Sequence, residues 1–358
     1  MDTLSKAEIN RYGRHLILPS FGMEAQLKLK NASVLVVGAG GLGCPVLQYL
    51  AAAGVGHIGI VDFDRIEESN LQRQILYTND DIGKSKALTA KTKLEKLNPH
   101  IKITAFDTRL SNENVLNIFE SFDVIADGTD NFSTRYLVND ACVLAEKVNV
   151  FASIFRFEGQ VAVFNFLKKD GNRGVNYRDL HPEPPKEGLI PNCAEGGVLG
   201  VLPGIIGSMQ ANEVIKVIAG IGEPLVDKIF IMDTLSFSSH TLKLRKNPSV
   251  NITKLPEEID DCAIPINEIT AEALKKMIAE KSDFQLIDVR EPNEYELKNI
   301  GGELIPLSKI LAEANKINKT KTVVVHCQSG KRSRAAIELL SEKGFMNLVN
   351  LKGGLRDF

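Results

Sequence analysis

The pattern Gly38-x-Gly40-x-x-Gly43 constrains this chain more than any other feature, because it joins a β-branched run, residues 33–37, to a helical stretch, residues 45–53. A strand, a glycine turn and a helix in that order let the backbone approach an anion. They also aim the N–H groups of the helix start at it, so the unit reads as a phosphate site. A second strand, residues 57–62, ends on Asp62, about where an acid would bond ribose hydroxyls. Taken alone, these features suit a nicotinamide dehydrogenase, another nucleotide-binding enzyme or a tight turn without a ligand.

The alternation continues with a helix near residues 84–97, a strand at 101–106 and another at 122–126. Strands and helices at this spacing predict βαβ units and a Rossmann-like, doubly wound α/β sheet. Beyond Val150 the pattern changes to strand-like runs at 149–155, 160–166 and 228–232. Residues 168–191, rich in Gly, Pro and charge, are too long for a routine connection and form a candidate functional loop. Residues 203–219 carry Ile206, Met209, Val214 and Ile218 at near-helical spacing, the mark of a buried helix rather than a cofactor site.

At 358 residues the chain exceeds one hydrophobic core. Its composition places a large domain at 1–247, a polar linker at 248–262 with four acids between Glu257 and Asp261, and a small α/β domain at 263–358. A net charge of -2 gives no electrostatic case for nucleic acid or an anionic membrane as partner. No apolar run reaches membrane-spanning length, and the first 14 residues lack an apolar export segment. Five scattered cysteines make no disulfide framework, which fits the cytoplasm.

Hydride transfer has no use for the cluster that follows Asp62. Arg73 and Lys86, with the amide of Asn70, suit a triphosphate whose departing pyrophosphate must be neutralised. Asp130, in Gly128-Thr-Asp-Asn131 at the end of the fourth strand, is suited to hold Mg²⁺.

These residues resemble the MoeB/ThiF/HesA family, bacterial relatives of the ubiquitin-activating enzymes, over about residues 5–247. The match rests on Arg11-Tyr-Gly-Arg14, the glycine loop, Ser69-Asn-Leu-Gln-Arg-Gln74, Lys86, Asp127-Gly-Thr-Asp-Asn131, Glu158-Gly-Gln160 and Cys193-Ala-Glu-Gly-Gly-Val198, all in family order. The resemblance implies that Gly38, Gly40, Gly41, Gly43, Asp62, Asn70, Arg73, Lys86 and Asp130 bind ATP and Mg²⁺. It further implies a homodimer in which Arg14 reaches the partner's site. The implied substrate is a small ubiquitin-like sulfur-carrier protein, MoaD-like or ThiS-like, whose C-terminal Gly-Gly carboxylate becomes an acyl-adenylate. Sulfur would then displace AMP. In relatives the cysteine matching Cys193 can form a thioester or acyl disulfide with the carrier. Many members also hold a structural zinc on two Cys-x-x-Cys pairs. The matching stretches here, Asn176-Tyr-Arg-Asp179 and 247–253, contain no cysteine, so no zinc is expected.

The sharpest cysteine signal is His326-Cys327-Gln-Ser-Gly330-Lys-Arg332-Ser333, between a strand at 322–326 and a helix at 333–342. Loop amides and a helix start facing Cys327 favour a thiolate and a persulfide anion, and Lys331 and Arg332 add positive charge. Arg332 is the fifth residue after Cys327, one fewer than in phosphatase loops, and the tighter loop favours sulfur. With Ile287-Asp-Val-Arg-Glu-Pro-x-Glu294 and Gly353-Gly-Leu355, the segment resembles a rhodanese domain from about residue 264. That implies a persulfide on Cys327, loaded by a sulfur donor such as a cysteine desulfurase. His326 reads as strand-end packing, Cys44 and Cys142 as core, and Cys262 as chemically idle. The competing readings are a carrier-docking scaffold with only the sulfurtransferase activity, and a nicotinamide dehydrogenase.

Overall fold

The structure, a computed structural model, describes residues 3–184, 197–256, 266–341 and 343–358. These residues form two compact units, one before the undescribed segment 257–265 and one after it.

The first unit holds strands β1 (Ser33–Val37), β2 (His57–Val61), β3 (Lys102–Phe106), β4 (Val124–Asp127), β5 (Val148–Phe155), β6 (Glu158–Phe164), β7 (Lys228–Asp233) and β8 (Ser238–Lys243). They make one sheet in the order β3-β2-β1-β4-β5-β6-β7-β8. The first five in that order are parallel and joined through helices, and the pairs from β5 to β8 are antiparallel. Only Arg156 and Phe157 separate β5 from β6, and so short a connection forces the reversal.

The period of two along a strand distributes the core between the two faces. Val34, Val36, Ile58 and Ile60 pack with helices Gly43–Ala53, Lys86–Leu97 and Leu202–Ala219. Leu35, Val37 and Val61 pack with helices Val115–Glu120 and Phe132–Leu144 on the other face. Gln210, buried in the long helix, donates through Nε2 to the carbonyls of Asp127 and Val150, both at 2.8 Å. One side chain thus ties that helix to the end of β4 and the middle of β5.

Several elements lie outside the sequence expectations. Two N-terminal helices, Lys6–Leu16 and Gly22–Asn31, stand where one was expected, and β8 had no signal because every residue of Ser-Ser-His-Thr-Leu-Lys is exposed. The long loop contains a helical turn, Tyr177–Leu180, whose Tyr177 joins a buried aromatic cluster with Tyr136, Phe151 and Phe164. The first part of the expected linker is anchored to the first unit. Leu255 packs against the second core face, and Asn112 Nδ2 donates to the Pro256 carbonyl at 2.8 Å.

The second unit is a parallel sheet of β9 (Glu268–Ile269), β10 (Phe284–Asp288), β11 (Glu303–Leu304), β12 (Thr322–His326) and β13 (Leu348–Leu351), ordered β11-β10-β12-β13-β9. Val323 and Val325 pack with Ala336, Ile337 and Leu340 of helix Lys331–Ser341, and Val324 packs with Leu274 of helix Ala271–Ala279. Among the described residues, no helix is long and apolar enough to cross a membrane.

Candidate functional site

In the first sheet β2 and β3 lie on one side of β1 and β4 and β5 on the other, so the order reverses between β1 and β4. Ligands of open α/β sheets bind in the crevice at such a point. Gly38, at φ +90°, leads out of β1, and a Cβ there would stand 3.2 Å from the Gly128 carbonyl oxygen in the loop after β4. A Cβ on Gly43 would stand 1.9 Å from the Gly38 carbonyl oxygen. The helix can therefore begin beneath the turn only because residue 43 is glycine.

Between these glycines, Ala39 N–H donates to Asp62 Oδ2 at 2.7 Å. The Tyr77 hydroxyl lies 2.9 Å from the Ala39 carbonyl oxygen and 3.1 Å from that of Lys86, linking the loop to the start of the Lys86 helix. Burial pushes the Asp62 carboxyl up, and the charge of Lys86 and the amides of Ala39 and Asp64 only partly offset it. Lys86 is buried, and its Nζ pairs with Asp64 Oδ2 at 2.9 Å. The turn at 67–74 packs along the loop: a Cβ on Gly41 would lie 3.6 Å from Arg73 Cδ, and one on Gly40 3.6 Å from Gln74 Nε2. Asn70 Oδ1 accepts from Glu67 N–H, and Arg73 Nη1 donates to the Ser69 carbonyl, so each holds its own turn.

Beyond β4, Asp127 is fully buried and accepts through Oδ1 from the N–H and hydroxyl of Thr129, whose carbonyl takes Arg135 Nη2 at 2.9 Å. Burial pushes the Asp127 carboxyl up against the opposing charge of Arg135. Asp130 follows this locked loop, exposed and without a hydrogen bond or ion pair to any described residue. A lone exposed carboxylate fits Mg²⁺, which is held by one or two carboxylates together with substrate phosphates and water. Arg14 is exposed on the first helix. Cys193 and Cys262 fall outside the described residues. Cys44 and Cys142 are buried in the core as expected, and burial pushes the Cys44 thiol up to about 12.

At 176–179, where the resembled family carries cysteines, Asp179 Oδ2 accepts from the N–H and Nδ2 of Asn176 at 2.7 and 2.9 Å. Its Oδ1 accepts from Asn247 N–H at 2.9 Å. Arg178 clamps Asp140 with two bonds of 2.7 Å. Hydrogen bonds join the two stretches there.

In the second unit β12 runs into Cys327, and the loop to helix Lys331–Ser341 folds around its sulfur. Gly330 N–H donates to Cys327 Sγ at 3.2 Å, and Ser333 Oγ lies 3.5 Å from it. The Gly353-Gly354 turn closes the back, with Leu355 N–H on the Cys327 carbonyl at 2.9 Å and Arg356 N–H on that of Gln328 at 3.0 Å. Arg332 departs from expectation. It is buried, and its guanidinium binds Glu294 through two bonds of 2.7 and 2.8 Å. Burial raises the Glu294 carboxyl, but the bond and charge of Arg332 outweigh it and hold the group below its ordinary value. The positive charge expected from Arg332 is thus neutralised within the fold, because a buried cation needs a counter-ion. His326 is fully buried, and burial pushes its imidazole down to about 4 despite the Asp288 carboxylate 3.9 Å away.

Tyr77, Asp64 and the role of Glu294 escaped the sequence reading. Asp64 stands two residues after Asp62 and Glu294 within a quoted motif, so both were within reach. Tyr77 reaches the Ala39 and Lys86 carbonyls through contacts that no local spacing encodes.

The ThiF family model matches residues 12–254 and that of the rhodanese-like domain matches 270–358. The chain is 46% identical over 365 residues to a protein of Mycobacterium tuberculosis named probable adenylyltransferase/sulfurtransferase MoeZ, covering 98% of this chain and 93% of that one. It is 52% identical over 244 residues to the sulfur carrier protein adenylyltransferase of Thermus thermophilus, covering 68% of this chain and 90% of that one. Among solved structures it is similar to E. coli MccB, with a TM-score of 0.59 and 24% identity over 69% of this chain and 75% of the other, a likeness of fold.

Proposed function

The chain belongs to the ThiF family and ends in a rhodanese-like domain, and from that premise we propose that it activates a sulfur-carrier protein and supplies the sulfur. Residues 1–247 would form the adenylyltransferase, 248–262 the linker and 263–358 the sulfurtransferase. The observation that carries the reading is the glycine turn at the reversal of strand order, with Asp62, Lys86 and the Arg73 turn gathered around it.

A carboxylate is a poor electrophile. Its oxygen attacks the α-phosphorus of ATP and pyrophosphate leaves, a step that needs positioning and charge neutralisation more than a base. The loop amides, Arg73 and Lys86 would hold the phosphates, with Asn70 supporting the same turn. Asp62 would bond the ribose, and Arg14 of a second copy would complete the site in a homodimer. Asp130 would hold Mg²⁺, which supplies neutralisation of the pyrophosphate. The persulfide on Cys327 then attacks the acyl carbon and AMP leaves. An external thiol cleaves the acyl disulfide by bonding to the Cys327 sulfur as the thiocarboxylate leaves, and a second thiol restores Cys327; Cys193 is proposed to form a thioester or acyl disulfide with the carrier. The carrier would be MoaD-like or ThiS-like, and the donor to Cys327 a cysteine desulfurase. Two relatives named for sulfur-carrier adenylation or for the joint adenylyltransferase and sulfurtransferase activity support the pairing.

ATP–pyrophosphate exchange, with and without each candidate Gly-Gly carrier, tests the first half. Exchange should require one carrier and Mg²⁺ and be lost in Asp130→Ala, while Cys327→Ser keeps exchange and loses thiocarboxylate formation. No exchange with any carrier would sink the adenylation reading.

A further inference from the structure

A chain of polar groups, buried at Cys327, Ser333 and Asn350, runs out to the exposed edge of the second sheet. Ser333 is fully buried, and its Oγ lies 2.6 Å from Asn350 Oδ1, 3.1 Å from the Gly330 carbonyl oxygen and 3.5 Å from Cys327 Sγ. One hydroxyl proton must serve three acceptors. Asn350, also buried, stands on β13 opposite Glu268 on β9. Its Nδ2 donates to Glu268 Oε1 at 3.3 Å, and Arg334 holds the same carboxylate oxygen at 2.9 Å. The carboxylate fixes which way the amide faces, since the reversed amide would set oxygen against oxygen. Asn350 therefore shows Ser333 an acceptor and nothing else.

We propose that Asn350 is a positioning residue for sulfur transfer: it takes the Ser333 hydroxyl proton, so that Ser333 turns its oxygen rather than its hydrogen toward Cys327 Sγ. A thiol is satisfied in this state, because S–H donates to Ser333 Oγ. A thiolate or persulfide anion faces a lone pair and keeps the Gly330 N–H. To stabilise the anion Ser333 must release Asn350 and turn to the sulfur, which strands a buried amide oxygen, an unfavourable change. Asn350, the Gly330 carbonyl and Cys327 thus compete for one proton, with Asn350 at the shortest distance, and Glu268 with Arg334 holds Asn350 in the competing orientation. The inference rests on the reading of Cys327 as sulfur carrier.

Thiosulfate is the probe. The Cys327 thiolate attacks its outer sulfur, a cysteine S–S bond forms as the thiosulfate S–S bond breaks, and sulfite leaves with the electron pair while the thiol proton goes to solvent. Sulfite release by the full chain, in mildly acidic buffer with cyanide present to take up the sulfur, separates kcat from KM. Asn350→Val leaves the Ser333 proton to the sulfur and the Gly330 carbonyl and should raise kcat by up to about fivefold, the worth of one neutral hydrogen bond, with KM unchanged. In a Ser333→Ala background the same substitution should change nothing. Glu268→Ala, at an exposed position that should fold even where a β13 variant does not, should give a smaller rise in the same direction. A fall in kcat, or an equal change with and without Ser333, overturns the proposal. Wild-type protein that releases no more sulfite than Cys327→Ser would sink the reading of Cys327 itself.

Discussion

His326 ends β12 with neither ring nitrogen hydrogen-bonded to a described group. Burial holds its imidazole near 4, against an ordinary value of 6.5. Between those values the unfolded chain takes up a proton that the folded chain refuses. The contribution is therefore fully present above pH 6.5 and is lost as pH falls toward 4. Each pH unit in that window costs up to about 1.4 kcal/mol. Melting of the full chain across the window should show His326→Phe losing less stability on acidification than wild type, and parallel slopes would refute the assignment. At this scale Cys327 and the loop glycines were legible because their chemistry needs neighbours in sequence. Glu294 and Asn350 reach Arg332 and Ser333 from 38 and 17 residues away, and only the folded chain joins them.

The joint between β1 and its helix turns on Gly43. Gly43→Ala would set a methyl 1.9 Å from the Gly38 carbonyl. The backbone must shift to admit it, and such overpacking costs about 1–3 kcal/mol or more. ATP–pyrophosphate exchange should fall by about 100-fold or more, since a displacement of about 1 Å at a reacting centre has that effect. Gly204→Ala, with nothing within 4 Å of the new methyl, should keep exchange near wild type. Equal activity in the two variants would refute the role given to the turn. The buried parallel strands were readable as apolar runs between helices. Polar β8 gave no apolar alternation, and the helix Val115–Glu120 has no side-chain cap at its start, whereas Asn131 caps the helix Phe132–Leu144 by accepting from Thr134 N–H, a start signal present in the sequence.

Across the whole molecule, the stretches at 176–179 and 247 are joined by hydrogen bonds to Asp179. Among the described residues, no group of three or more His, Cys, Asp or Glu could hold a metal ion. Because the sequence carries no cysteine at 176–179 or 247–253, metal analysis of the full chain should find no stoichiometric zinc, and a chelator should leave its melting temperature unchanged. Bound zinc, or a fall in melting temperature on chelation, would refute this.

The sequence by itself determined the doubly wound sheet, the glycine turn and the strand–Cys327–helix unit, because each rests on contiguous backbone and on the spacing of apolar residues along one element. The tertiary structure alone decided that Asp62 caps the loop at Ala39, that Lys86 pairs with Asp64 and that Arg332 is neutralised by Glu294. It also decided which acceptor stands beside Ser333. Hydrogen-bond and ion-pair partners are set by which strand ends and loops meet in space, and a one-dimensional pattern fixes the types of those groups without fixing their company.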